Sequence, residues 1–200
     1  MKALVVALAV LLTMSPAYAK HHHEQVQGDV IPDTNGLPYP ITDHACDKAM
    51  DNSEFDTAIA LCEQSAADYG RLADKTKMPS VFDRLVYNQA YTLYEIAFAY
   101  NQTGDNKKGK SMASMSYDLF RMITDPYFKK LEPIMGWKSG EREYVHFDDL
   151  PATKQKQIHA TLTEDQLHIG GGFLHLMQQV HALYPEICTE IDSLTGNAHT

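Results

Sequence analysis

The chain has 200 residues, with 26 acidic against 17 basic side chains and a formal charge of −9 at neutral pH. That balance argues against nucleic acid or an anionic lipid surface as partner, since both demand a basic face. With 44% hydrophobic residues, the chain has the material for one ordinary core in a single domain.

Lys2 precedes an unbroken apolar run, Ala3 to Leu12, and Ala17-Tyr18-Ala19 has the small-x-small form that a signal peptidase requires. This pattern predicts a cleavable signal peptide over residues 1–19: the apolar core falls within the ~7–15 residues of a signal core and short of the ~20 needed to span a bilayer. The predicted product is exported, to a bacterial periplasm or secreted, with no membrane span once the signal is gone. Its loss removes one charge, Lys2, and takes the formal charge to −10.

Residues 20–42 are rich in His, Gln, Asp and Gly, and Pro32, Pro38 and Pro40 oppose a helix. They read as an extended or disordered leader. If cleavage follows Ala19, the mature chain begins Lys20-His21-His22-His23. A free amine, two backbone amides and an imidazole at the third residue can wrap Cu(II) or Ni(II) in a square plane. The plain alternative is a solvated polar tail.

From residue 43 to about 195 the pattern is helical, with a short tail over 196–200. A first helix ends at the turn Asp51-Asn52-Ser53, and a second, opened by Phe55, Ile59 and Cys62, runs to about Lys75. Pro79 fits the first turn of a third helix, where its missing N–H is not needed, and Gly104 ends it. Asp105 caps the fourth, whose Met112, Met115, Leu119 and Met122 form an apolar stripe expected to face the core. Asp125-Pro126 is expected to close that helix, leaving an irregular loop near 131–148. Helical pattern returns near Asp149-Leu150-Pro151 and again after Thr163, which with Gln166 forms a capping box. Pro185 fits the start of a last short helix. The fold class is all-α, built of antiparallel helical hairpins.

The segment Leu93, Ile96-Ala97, Tyr100, Gly104-Asp105, with Gly109 beyond it, resembles the tetratricopeptide repeat. Phe55, Ala58 and Cys62 are similar to the second helix of such a unit, and Cys46 takes the small-residue position on its first. The resemblance covers about residues 43–124; the alternative is a generic helical bundle. It implies that Cys46 and Cys62 face each other across a helix–helix contact and form a disulfide, leaving Cys188 over. Such a closure would contribute on the order of 3 kcal/mol by chain entropy.

The third helix carries the most distinctive candidate surface. Tyr87, Tyr91, Tyr94 and Phe98 recur at i, i+4, i+7 and i+11, while Val86, Ala90, Leu93, Ala97 and Tyr100 line a neighbouring face. A helix apolar over so much of its girth is central and packed on more than one side. The aromatic stripe is either core or, in the repeat register that the resemblance implies, the wall of a peptide-binding groove with Asn101 at its end. Tyr and Phe suit that role because they bury large area at low entropic cost.

Other signals point less sharply. His168 and His175 lie two turns apart, ~10 Å along a helix, too far to share an ion unaided. His146, Asp148 and Asp149 offer loop ligands or helix caps. Met112 and Met115 have a copper-site spacing but coincide with the apolar stripe. Gly170-Gly171-Gly172 inside a helical pattern implies either a break or a closely packed neighbouring backbone. The functional expectation is therefore an exported helical module that binds a protein or peptide through an aromatic-lined groove. The alternatives are a Cu(II)- or Ni(II)-binding protein using its His-rich N-terminus, and a hydrolytic or metal-dependent enzyme with no recognisable motif.

Overall fold

Proline and glycine positions set most of the helix boundaries. The computed structural model describes residues 30–32, 38–138 and 147–187. Two short strands, β1 (Val30–Pro32) and β2 (Pro38–Pro40), pair antiparallel and lead directly into the helices. These are α1 (Ile41–Asp51), α2 (Phe55–Lys75), α3 (Pro79–Thr103), α4 (Asn106–Met135), α5 (Ala152–Thr161) and α6 (Glu164–Leu183). A 3-10 turn over Phe147–Asp149 precedes α5. Part of the expected leader is thus a hairpin, and the first helix starts two residues earlier than the pattern suggested.

Local signals act as expected at most ends. Pro79 occupies the first turn of α3, and Gly104 closes that helix at φ +87°, a left-handed conformation that glycine adopts without a Cβ clash. Asp105 accepts the Lys108 backbone N–H, and Thr163 and Gln166 form a reciprocal capping box.

The fourth helix departs from expectation. It runs through Pro126 and Pro133 to Met135, so residues 131–135 belong to it rather than to a loop. Each proline removes a backbone hydrogen bond and costs ~3 kcal/mol in a helix interior. Burial of Tyr127, Phe128 and Leu131 between the two prolines offsets that penalty. The core face of α4 differs as well. Its buried positions are Gly109, Ala113, Ser116, Tyr117, Phe120, Ile123 and Thr124, whereas Met115 and Met122 remain 48% and 50% exposed. Half of the expected stripe, Met115 and Met122, is therefore not core, while Met112 and Leu119 are part-buried against it.

The packing is antiparallel from α1 to α4. Cys46 on α1 is bonded to Cys62 on α2, both fully buried, with Cα atoms 4.8 Å apart. Between α3 and α4, Ser116 Oγ donates to the Ala90 carbonyl at 2.6 Å, Tyr87 meets Phe120 edge-on at 5.1 Å, and Tyr127 donates to Asp83. The last helix returns along α3 and α4: Phe173 packs among Tyr117, Phe120 and Phe128, and the Tyr184 hydroxyl reaches the Ala97 carbonyl. Among the described residues no helix is long and apolar enough to cross a membrane.

The triple glycine does not break α6. A Cβ on Gly172 would collide with the Tyr87 ring, whereas one on Gly171 would meet nothing within 4 Å. Close approach of α6 to α3 therefore requires glycine at one of these positions and not at the other. Gly172→Ala is expected to destabilise the fold by about 1–3 kcal/mol through overpacking. Gly171→Ala should stabilise it by up to ~1 kcal/mol through helix propensity. Urea unfolding of the two variants checks the opposite signs.

Candidate functional site

The aromatic stripe of α3 is divided among three neighbours. Tyr87 lies beneath α6, against Gly172 and with its ring 6.2 Å from that of His168. Phe98 meets Phe55, at the start of α2, edge-on at 6.0 Å. Asn101 sits at the α3–α4 turn, where its amide donates to Asn106 at 3.2 Å. Between these ends, Tyr91 and Tyr94 pair with ring centroids 6.2 Å apart and an interplanar angle of 50°. All five side chains are part-buried; none is fully enclosed.

The same turn of α3 carries Glu95, an acid within an otherwise largely apolar stretch. It looks toward α1, whose Asp43, Asp47 and Asp51 recur at i, i+4 and i+8 and share one face. Asp43 is buried and held structurally, accepting from Ser65 Oγ at 2.9 Å and from the Tyr69 hydroxyl at 2.7 Å. Glu95 Oε2 lies 3.6 Å from Cys46 Sγ, which as a disulfide sulfur has no proton to donate. Its carboxyl sits deep among protein atoms although the residue keeps some exposure. Desolvation first, and then the charges of Asp47, Asp43 and Asp51, raise its pKa well above the usual carboxylate range. Desolvation, with the Glu95 charge behind it, also pushes the Tyr91 and Tyr94 hydroxyls up.

Metal ligation finds little support in this arrangement. Cys46, Cys62 and Glu95 bring three donor atoms within 4.8 Å of one another. The two sulfurs are joined to each other, however, and offer no thiolate. Lys20, His21, His22 and His23, the proposed Cu(II) or Ni(II) ligands, lie outside the described residues, as do His146 and Cys188. His168 faces Tyr87, while His175 Nε2 is 3.1 Å from Gln179 Nε2 and has its pKa lowered by burial. The structure therefore gives these two histidines separate neighbours.

A second concavity, which the sequence pattern did not reveal, lies on the opposite side of α3. Both α2 and α4 pack along α3 but touch each other little, leaving a cleft of about 500 Å³. Ala66, Leu93, Ile96, Met112, Met115 and Leu119 line it, with Glu63 and Asp118 at its polar edges. Of the stripe expected in the core, Met112, Met115 and Leu119 are wall residues of this cleft. Their 3–4 periodicity marks an apolar face without saying what covers it.

Comparison with protein-family models, curated proteins and solved structures finds no match. Function must therefore be inferred from the local chemistry.

The environment of Glu95 has a direct consequence for stability. A folded-state pKa raised above the unfolded value means that the native protein binds this proton more tightly. The stability it contributes is full below the unfolded pKa and declines as pH rises toward the folded one. Glu95→Gln should remove that decline, giving a variant more stable than wild type at pH 7–8 and equal to it near pH 4. Urea unfolding across this range checks the change in slope.

Proposed function

We propose that this protein is an exported helical interaction module that binds a peptide or protein partner through the aromatic face of α3, centred on Tyr91 and Tyr94. The observation that carries the reading is that these two large rings stay part-exposed on a helix that packs against α2, α4 and α6. The hairpins α1/α2 and α3/α4 serve as degenerate tetratricopeptide-like units, and Tyr87, Phe98 and Asn101 frame the face rather than fill it. The predicted signal peptide supports export. A fully buried Cys46–Cys62 bond also suits an oxidising compartment.

Aromatic anchors at the centre of an interface typically contribute about 2 kcal/mol or more, roughly thirty-fold in affinity. A photo-reactive residue at position 94 should therefore cross-link a partner in the native compartment, and Tyr91→Leu should weaken that cross-link with little change in thermal unfolding. Equal cross-linking from position 122, on exposed α4 surface, would overturn the assignment of the face. Intact-mass measurement on the same material should give a chain beginning at Lys20.

A further inference from the structure

The same face also points to the partner's chemistry, an inference that rests on the aromatic face of α3 being the binding face. Four features converge there. The part-exposed rings of Tyr91 and Tyr94 stand 6.2 Å apart at an angle of 50°, so they do not stack face to face on each other. Glu95 lies next to them in the chain, set back toward the disulfide. Asp47, part-buried, and Asp51, exposed, approach from α1. Every charge that raises the Glu95 pKa belongs to a carboxylate, and among the described residues no donor hydrogen-bonds to it.

We propose that this face receives the guanidinium of an arginine side chain presented by the partner, stacked on Tyr91 or Tyr94 and hydrogen-bonded to Glu95, with Asp47 and Asp51 as outlying negative charge.

The choice of occupant rests on charge and shape. A part-desolvated carboxyl among like charges is costly to ionise alone, and a cation removes that cost. An ammonium would satisfy the charge but presents no plane. A guanidinium offers a planar face for the rings and a rigid fork of donors for a carboxylate, and it is more weakly hydrated on entry. The opposite cleft lacks this combination: its walls are aliphatic, and the Glu63 carboxylate already accepts from the Tyr100 hydroxyl at 3.0 Å.

The proton on Glu95 supplies a readout that a merely structural role would not give. Binding a guanidinium requires the carboxylate, so the carboxyl must release its proton as the complex forms. The groups that set this titration are Asp43, Asp47 and Asp51 from α1, the disulfide joining α1 to α2, and Tyr91 and Tyr94 beside it on α3. Affinity for the cation should then rise with pH across the range in which free Glu95 deprotonates.

The test titrates the full mature chain, labelled at its tyrosine rings, with N-acetyl-arginine amide, and separately with N-acetyl-citrulline amide, its neutral isostere. Saturable NMR shifts at Tyr91 and Tyr94 are expected with arginine, at least ten-fold weaker with citrulline. Glu95→Gln should weaken arginine binding at least ten-fold and abolish its pH dependence. Asp118→Asn, across the helix, should leave it unchanged. Equal binding of citrulline, or undiminished binding by Glu95→Gln, would overturn the proposal, as would the absence of any saturable shift. If position 94 still cross-links a partner while arginine fails, the binding face stands and the guanidinium assignment falls.

Discussion

The domain depends on how closely α3 is approached by its neighbours. Where α4 crosses it, a Cβ on Gly109 would stand 3.0 Å from the Ala97 carbonyl, and Ser116 bonds directly to the Ala90 carbonyl. Where α6 crosses it, Gly172 admits the Tyr87 ring. Two of these three positions are glycine and the third is a small side chain whose hydroxyl bonds to backbone. At the α4 crossing, backbones held this near leave room only for small side chains, so bulk is placed on either side. Phe120, Tyr117 and Phe173 fill one flank, while Leu93, Ile96 and Tyr100 fill the other with Cys46, Cys62 and Ala66. Packing at such density makes single-atom changes felt, which is why adjacent glycines in α6 have opposite expectations.

This geometry also decides what α3 has left to offer. With α2, α4 and α6 on three sides, the remaining arc carries Tyr91, Tyr94 and Glu95, and the helix that borders it is α1. That helix has 11 residues, below the ~12–15 at which an isolated helix is marginal in water. It is held instead by tertiary ties: the disulfide to α2 and the bonds of Asp43 to Ser65 and Tyr69. Those same ties fix which way its face turns. Since Asp43, Asp47 and Asp51 share that face, anchoring α1 through Cys46 and Asp43 brings the other two carboxylates to bear on Glu95. The acidity of the site is a consequence of how its shortest acidic helix is pinned.

How much of the fold and of the site is legible in the sequence depends on whether the signal is local. Pro79, Gly104, Asp105 and the Thr163/Gln166 pair act within one turn of themselves, and the helix ends they mark are readable. So is the central position of α3, from apolar residues around most of its girth. The course of α4 is not, because burial of Tyr127, Phe128 and Leu131 by other parts of the chain outweighs the two prolines. Nor is the fate of the methionines. Periodicity identifies Met112, Met115, Leu119 and Met122 as one face, but α4 turns a different, small-residue face to α3. Glu95 does leave a signal, as a single acid between Tyr94 and Ile96, but the aromatic pattern around it is the stronger one. Its significance depends on α1, whose approach no local pattern on α3 encodes.

The contrast between Asp43 and Glu95 bears on whether the acidic face is structural. Asp43 is more enclosed, yet two hydroxyls donate to it, one to each oxygen, so its burial is compensated within the fold. Glu95 has no such donors among the described residues, and its contact with Cys46 is with an aprotic sulfur. A glutamine or a leucine at position 95 would keep the helix and remove the repulsion, so folding alone gives no reason for a carboxylate there. Local strain of this kind is a feature of sites that bind or react, where the compensation comes from a partner. Under the proposed reading the pair of rings and the carboxyl beside them form one unit, with the rings supplying area and the carboxyl supplying selectivity. A hydrophobic face alone would accept many partners; a carboxyl that ionises more readily beside a cation favours far fewer.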